Sequence, residues 1–162
     1  MRPIFLFDLD ETVIDSTHRQ RHNADGSIDL KFWRRMNNPI NIARDSMLPL
    51  ASTMIRAIAE GLDVGICTSR VMGKADTAWL DLRGMLPAFT LSRSIDDNRP
   101  AGEFKLAKMS QLAVARRVSF DEIRRRVILW DDNADVQQTL KNAGIRVINP
   151  VKYNQFRKEL ER

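Results

Sequence analysis

The sequence predicts an α/β fold built on a parallel sheet, and two observations carry that reading. Short apolar runs alternate with segments of helical periodicity, the pattern of strands joined by crossover helices. The 162 residues are 43% hydrophobic and 29% charged, an ordinary globular balance for one compact domain with a real core.

Taken in order, Ile4–Phe7 reads as a buried first strand that ends at Asp8. Residues 13–45 are polar and resist assignment, with turn signals at Asp25-Gly26 and Asn37-Asn38-Pro39, and are expected to form a small lid or insert. Leu50, Met54 and Ile58 recur at helical spacing, and Gly61 supplies a stop. Leu62–Cys67 is a second strand. Ala75, Trp79, Leu82 and Leu86 mark the next apolar stripe, and Ala88–Leu91 after Pro87 is a short strand. Residues 92–102 form a polar loop after it. A helix is expected from Phe104 to Ala115, and Ser119 with Glu122 gives a capping-box pattern. Val127–Trp130 is a further strand. Val136, Leu140 and Ala143 face the core before Gly144, and Ile145–Ile148 is a strand stopped by Pro150. Asn154 is placed to cap a final helix containing Phe156 and Leu160.

No apolar run approaches the eighteen or so residues needed to cross a bilayer, and Ile4–Phe7 is too short for a signal-peptide core. The lone Cys67 excludes an intramolecular disulfide and fits a reducing compartment, so a cytoplasmic protein is expected. The net charge of +5 is compatible with an anionic partner and equally with a plain basic surface.

The chemistry concentrates at strand ends. Asp8 and Asp10 leave the first strand two residues apart and so point the same way. One such carboxylate can attack phosphorus while the other handles the leaving group's proton, splitting a hard hydrolysis into two steps. Two solvated acids in a polar loop would look the same. Asp131 and Asp132 end a second apolar strand, and if the two strands are neighbours four acids converge. Acids packed together raise one another's pKa unless a cation intervenes. Oxygen-only ligands without a His/Cys set favour magnesium over zinc. Asn133 or Asp132 also suits an N-cap for the following helix. Thr68, Ser69 and Arg70 close another strand, where a hydroxyl and free backbone amides can hold a phosphoryl oxygen. Lys105 or Lys108 can offset the negative charge.

This order of acidic pair, hydroxyl, lysine and acidic pair resembles the haloacid dehalogenase superfamily of phosphotransferases. The resemblance covers most of the chain, from Phe5 to Pro150, and implies a Rossmann-like three-layer sheet and magnesium. The family's Asp-x-Asp-x-Thr motif falls on Asp8, Asp10 and Thr12, its second hydroxyl on Thr68, its lysine on Lys105, and its last acids on Asp131 and Asp132. Carried over, Asp8 is nucleophile and metal ligand. Asp10 is acid/base and supplies a backbone carbonyl to the metal, and Asp131 and Asp132 complete the metal site. Glu11 stands where many members have Gly, and Asp-Leu-Asp-Glu-Thr resembles phosphatases acting on phosphoserine in a polymerase tail.

The chain is also similar to the phosphatase half of phage polynucleotide kinase-phosphatases. Thr68-Ser69-Arg70 is similar to its hydroxyl-Gly-Arg segment, Arg19 matches a substrate-binding arginine, and Asp97-Asn98-Arg99-Pro100 resembles its counterpart before the lysine. That likeness places Arg19, Ser69, Arg70 and Thr12 among the substrate-binding residues. The spacing from Lys105 to Asp131 is longer here, and the kinase half's phosphate-loop motif does not occur. A small insert leaves the site open to a polymer end. Arg19, Arg21, Arg34 and Arg35 lie in it beside Phe32 and Trp33, which either grip nucleic acid or anchor the lid. The expected activity is a 3'-phosphatase on nucleic-acid ends. Its alternatives are a phosphatase for free nucleotides and a nucleic-acid-binding module with a decayed site.

Overall fold

The computed structural model describes residues 2–24 and 29–160. The expected turn at Asp25-Gly26 lies outside that range. Strand β1 (Ile4–Phe7) leads to a two-residue strand β2 (Ile14–Asp15), a 3-10 turn at Thr17–Arg19, and two short helices, α1 (Leu30–Met36) and α2 (Pro39–Ile42). Strand β3 (Ser46–Met47) returns antiparallel to β2. The chain then alternates through α3 (Leu50–Ala59), β4 (Val64–Thr68), α4 (Lys74–Asp81), β5 (Phe89–Ser92), α5 (Ala101–Arg116), α6 (Phe120–Arg126), β6 (Val127–Trp130), α7 (Ala134–Asn142), β7 (Arg146–Ile148) and α8 (Val151–Leu160).

The main sheet has the order β5-β4-β1-β6-β7, with every neighbouring pair parallel. Each expected strand is present within two residues of its expected ends. Alternation along β1 sends Ile4 and Leu6 to one face and Phe7 to the other. Phe7 packs with Met54 of α3 and Leu80 of α4; Ile4 and Leu6 pack with Met109 of α5, Ile123 of α6 and Leu140 of α7. The result is three layers, helix–sheet–helix. Strand β1 lies between β4 and β6, so successive crossovers leave it in opposite directions. In open parallel sheets this switch point, at the carboxyl ends of the strands, is where a functional crevice forms.

The segment after β1 does not stand apart from the core. Val13, Ile14 and Ile42 are buried in the same apolar cluster as Phe7 and Met54. Helix α1 starts because the Asp29 carboxylate accepts from Phe32 N, and α2 because the Asn38 side chain accepts from Asn41 N.

Two expectations need correction. Leu82 and Leu86 do not continue a buried stripe: Leu82 is 84% exposed, and Leu80 and Met85 are buried in their place. The physical reason is that α4 stops at Asp81, and Gly84 turns the chain at φ +67°, which ends the helical period. Asn154 does not cap the last helix, which begins at Val151. Its buried side chain instead accepts from Leu50 N at 2.9 Å, at the start of α3, and donates to Thr12 O at 2.9 Å. Asn154→Ala orphans both buried backbone groups at once. The expected loss is about 2–6 kcal/mol, from a desolvation cost of roughly 1–3 kcal/mol per group. A urea midpoint unchanged by this substitution would contradict that role.

Candidate active site

Parallel pairing places the acids. Phe7 is in register with Trp130 of β6, and their rings stack at 4.7 Å with 6° between planes. Such a pair contributes about 0.5–1.5 kcal/mol beyond its buried area. The next residue on each strand is therefore an aspartate, Asp8 beside Asp131, and Asp8 N donates to Trp130 O at 2.9 Å. One carboxylate oxygen each from Asp8, Asp131 and Asp132 lie within 4.8 Å of one another.

Lys105 rather than Lys108 faces this cluster. Its ammonium is 2.8 Å from Asp8 Oδ1 and 2.5 Å from Asp131 Oδ2, with 2% of its side chain exposed. Lys108 lies over the Phe104 ring instead. Helix α5 comes close enough to deliver Lys105 because Gly102 meets α7 without a side chain: a Cβ there would sit 2.4 Å from Thr139 Oγ1 and 3.0 Å from Asp135 O. Asn133 is the N-cap of α7, accepting from Val136 N, and its own backbone N–H donates to Asp131 Oδ1 at 3.0 Å.

Burial and mutual repulsion set the charge state of the cluster. Burial pushes Asp8 up to about 7; Lys105 opposes this, and the charges of Asp131 and Asp10 add to it. Burial and the charge of Asp8 push Asp132 up to about 6. Asp131 is raised by burial against the pull of Lys105. Lys105, despite burial that opposes its charge, is held protonated by Asp8 and Asp131. One ammonium thus serves three clustered carboxylates, and a hard dication with oxygen ligands fits the remaining charge.

A carboxylate whose folded pKa is raised is tolerated best when protonated, so metal-free stability falls as pH rises from about 4 through about 7. A dication displaces those protons. Magnesium at 100 times its Kd is expected to stabilise by about 2.7 kcal/mol, a Tm gain of roughly 5–10 °C. At one fixed magnesium concentration the gain should be larger at pH 8 than at pH 5, because protons compete for the same carboxylates at the lower pH. Calorimetry showing no magnesium-dependent shift at pH 8 would contradict a cation site here.

Asp10 sits in a second network. Arg70 Nε donates to Asp10 Oδ2 at 3.2 Å, Arg70 Nη2 pairs with Oδ1, and Ser16 Oγ donates to Oδ1 at 2.7 Å. Burial alone would raise Asp10, but Arg70 and Ser16 outweigh it and hold the carboxyl below its usual range. Arg70, buried at 3% exposure, also donates to Asp76 Oδ1 at 2.7 Å and reaches Asp45 Oδ2 at 3.5 Å. Asp45 in turn accepts from Arg19 Nε at 2.8 Å and Nη2 at 2.6 Å. Of the acids at the strand ends, Asp131 is closed off at 0% side-chain exposure. Asp8 and Asp10 keep 11% and 22%, and Asp132 is half-buried, so these three are open to an incoming group.

Thr68 is buried at the end of β4, where its Oγ1 accepts from Arg70 N at 3.1 Å. Ser69 is half-buried and tied to the following loop, its carbonyl accepting from Arg93 Nε at 3.2 Å. Thr12 and Arg19, expected among the substrate-binding residues, are both 0% exposed. The Thr12 hydroxyl has no partner among the described residues, and Arg19 is spent on Asp45 and Asn37. Glu11 occupies the left-handed region at φ 57°, which explains why glycine suits this position. Its carboxylate accepts from Ser16 N and Gln20 Nε2, both at 3.1 Å, which offsets the strain.

Asp45, Asp76, Ser16 and Arg93 escaped the sequence reading. Asp76 carried one usable signal, an acid in the first turn of a helix after Gly73, whose N–H it accepts at 2.9 Å.

The fold is shared with haloacid dehalogenase-like hydrolases, and the converging acids suit a hydrolase acting on phosphate monoesters. The chain belongs to the bacteriophage T5 5'-deoxynucleotidase family, whose model matches residues 1–158. Among solved structures it is similar to a haloacid dehalogenase-like hydrolase from Streptococcus pneumoniae, with a TM-score of 0.65 and 11% identity over 90% of this chain and 83% of that one. A superfamily hydrolase of subfamily IA from Geobacter sulfurreducens has a TM-score of 0.63 and 12% identity, over 91% and 88%. A chain of the Pnkp1/Rnl/Hen1 RNA repair complex has a TM-score of 0.54 and 17% identity, over 92% of this chain and 42% of that one. At these identities the likeness concerns the fold. No curated protein matches the sequence. Among the described residues no helix is long and apolar enough to cross a membrane.

Proposed function

We propose that the protein is a magnesium-dependent 5'-deoxynucleotidase, releasing phosphate from free deoxynucleoside 5'-monophosphates. The observation that carries this is the family match over residues 1–158. Two arginines of the polymer-end reading, Arg19 and Arg70, are drawn into the interior against Asp45, Asp10 and Asp76, while Arg21, Arg34 and Arg35 stay exposed. Helix α1 also reaches the loops beyond β4 and β5: Asn37 Nδ2 donates to Val71 O and Arg34 Nη2 to Asn98 Oδ1, each at 3.5 Å.

In this reading Asp8 attacks the phosphorus in line with the ester oxygen. The P–O5' bond breaks as the Asp8–phosphorus bond forms, and Asp10 gives a proton to the departing O5'. Water then hydrolyses the aspartyl-phosphate, with Asp10 taking its proton back. Asp10 must first take up that proton against the pull of Arg70. Lys105 limits the repulsion between Asp8 and Asp131 as the phosphate approaches. The Thr68 hydroxyl and strand-end amides receive a phosphoryl oxygen. Asp8, Asp131, Asp132 and the Asp10 carbonyl would hold the magnesium, which would supply positive charge against the phosphoryl oxygens.

Phosphate release is to be compared for deoxynucleoside 5'-monophosphates, their ribose counterparts, 3'-mononucleotides and a 3'-phosphorylated oligonucleotide. The deoxynucleoside 5'-monophosphates should give the highest kcat/KM. Preference for the oligonucleotide would overturn this reading in favour of end repair.

A further inference from the structure

Of the three tryptophans, Trp79 and Trp130 pack within the apolar cluster of Phe7 and Met54, and Trp33 belongs to neither core cluster. It is half-buried on α1, and its company is charged: Arg19 Cζ lies 4.7 Å from its ring centroid and Arg70 Cζ 5.8 Å. Arg70 is the residue that holds Asp10, so a single guanidinium separates the indole from the carboxylate facing the leaving oxygen. The next residue, Arg34, reaches Asn98 in the loop after β5, and Arg93 of that loop fastens to Ser69 beside Thr68. Trp33 therefore stands where α1 meets the carboxyl ends of the sheet. Neighbouring Phe32 differs in its company: Arg21 and Arg35, which lie over its ring, are exposed, and neither pairs with Asp10.

We propose that Trp33 is the platform on which the base of the substrate stacks, an inference that rests on the deoxynucleotidase reading. A 5'-nucleotide whose O5' meets Asp10 must extend its sugar and base away from the phosphate, past the residues that border Asp10. The buried arginines fix the indole by cation–π contact, so little side-chain freedom is lost when a base docks. Stacking uses a π-face common to every base, so one such platform serves several deoxynucleotides.

The test compares wild type, W33L and W33F on a deoxynucleoside 5'-monophosphate and on 2-deoxyribose 5-phosphate, the same ester without a base. Wild type should prefer the nucleotide. W33L should lower the ratio of the two kcat/KM values roughly tenfold or more, mainly through KM for the nucleotide, as expected for loss of one base–aromatic stack. W33F should restore most of that ratio. A ratio unchanged in W33L, or equal losses on both esters, overturns the platform while leaving the nucleotidase reading intact. If wild type turns over the nucleotide no better than the base-free ester, the platform fails even where W33L does not fold. If wild type does not release phosphate from the nucleotide at all, the reading and the platform fall together.

Discussion

Asp8→Asn should lower kcat by at least about 10³-fold, a barrier increase above roughly 4 kcal/mol, while the protein stays folded. The amide keeps the shape of the carboxylate and its place beside Asp131, and removes the nucleophile. It should not destabilise the metal-free protein. Asp8 is raised to about 7 by burial and by its acidic neighbours, so at neutral pH its charge works against the fold. A neutral side chain relieves that conflict, the familiar exchange of stability for activity at catalytic sites. Far-ultraviolet circular dichroism and a thermal melt, run beside the kinetics, check both halves. A variant that is inactive only because it is unfolded would contradict this account.

Lys105→Met carries the largest expected effect on stability. The ammonium lies between Asp8 and Asp131, at 2.8 and 2.5 Å, in a place where it is 2% exposed. Removing one side of a buried ion pair leaves an uncompensated charge and typically costs about 3–5 kcal/mol. For a chain of this size that is a Tm loss of roughly 6–20 °C. Lys105→Arg should not rescue it, since a planar guanidinium does not fit a site built for a compact ammonium. Because magnesium supplies positive charge to the same carboxylates, part of the loss in Lys105→Met should be recovered by adding it. Denaturant titration with and without magnesium measures this. A loss below about 1 kcal/mol would mean that Lys105 does not neutralise the cluster.

Residues that carried local signals were legible from sequence. The strands showed because apolar runs bounded by turn residues have few other uses, and their parallel pairing followed from the helices between them. Asp8 and Asp131 could be brought together on paper because each directly follows such a strand, and adjacent parallel strands end side by side. Even the alternative readings were informative: Asn133 does cap α7, and through its backbone N–H it also holds Asp131. Lys105 and Lys108 could not be separated, because three residues on a helix differ only in which side of the turn faces the sheet.

The second network was invisible for a different reason. Arg19, Asp45, Arg70 and Asp76 are scattered over some sixty residues, and each alone reads as a surface charge. Their burial depends on how the segment after β1 folds against α4, which no periodicity encodes. Asn154 is similar, since its partners Leu50 and Thr12 lie more than a hundred residues away in sequence. Arg19 and Arg70 were legible by motif, but the carboxylates toward which each is turned were not.

The claim that Asp8 attacks phosphorus can be tested without assuming the substrate. A single turnover on a reactive aryl phosphate with magnesium, quenched in acid within milliseconds, should leave phosphate on the peptide containing Asp8. Fragment mass spectrometry should place it on Asp8, and it should be missing from Asp8→Asn. Phosphate on Asp10, Asp131 or Asp132, or turnover by Asp8→Asn at the wild-type rate, would contradict the account.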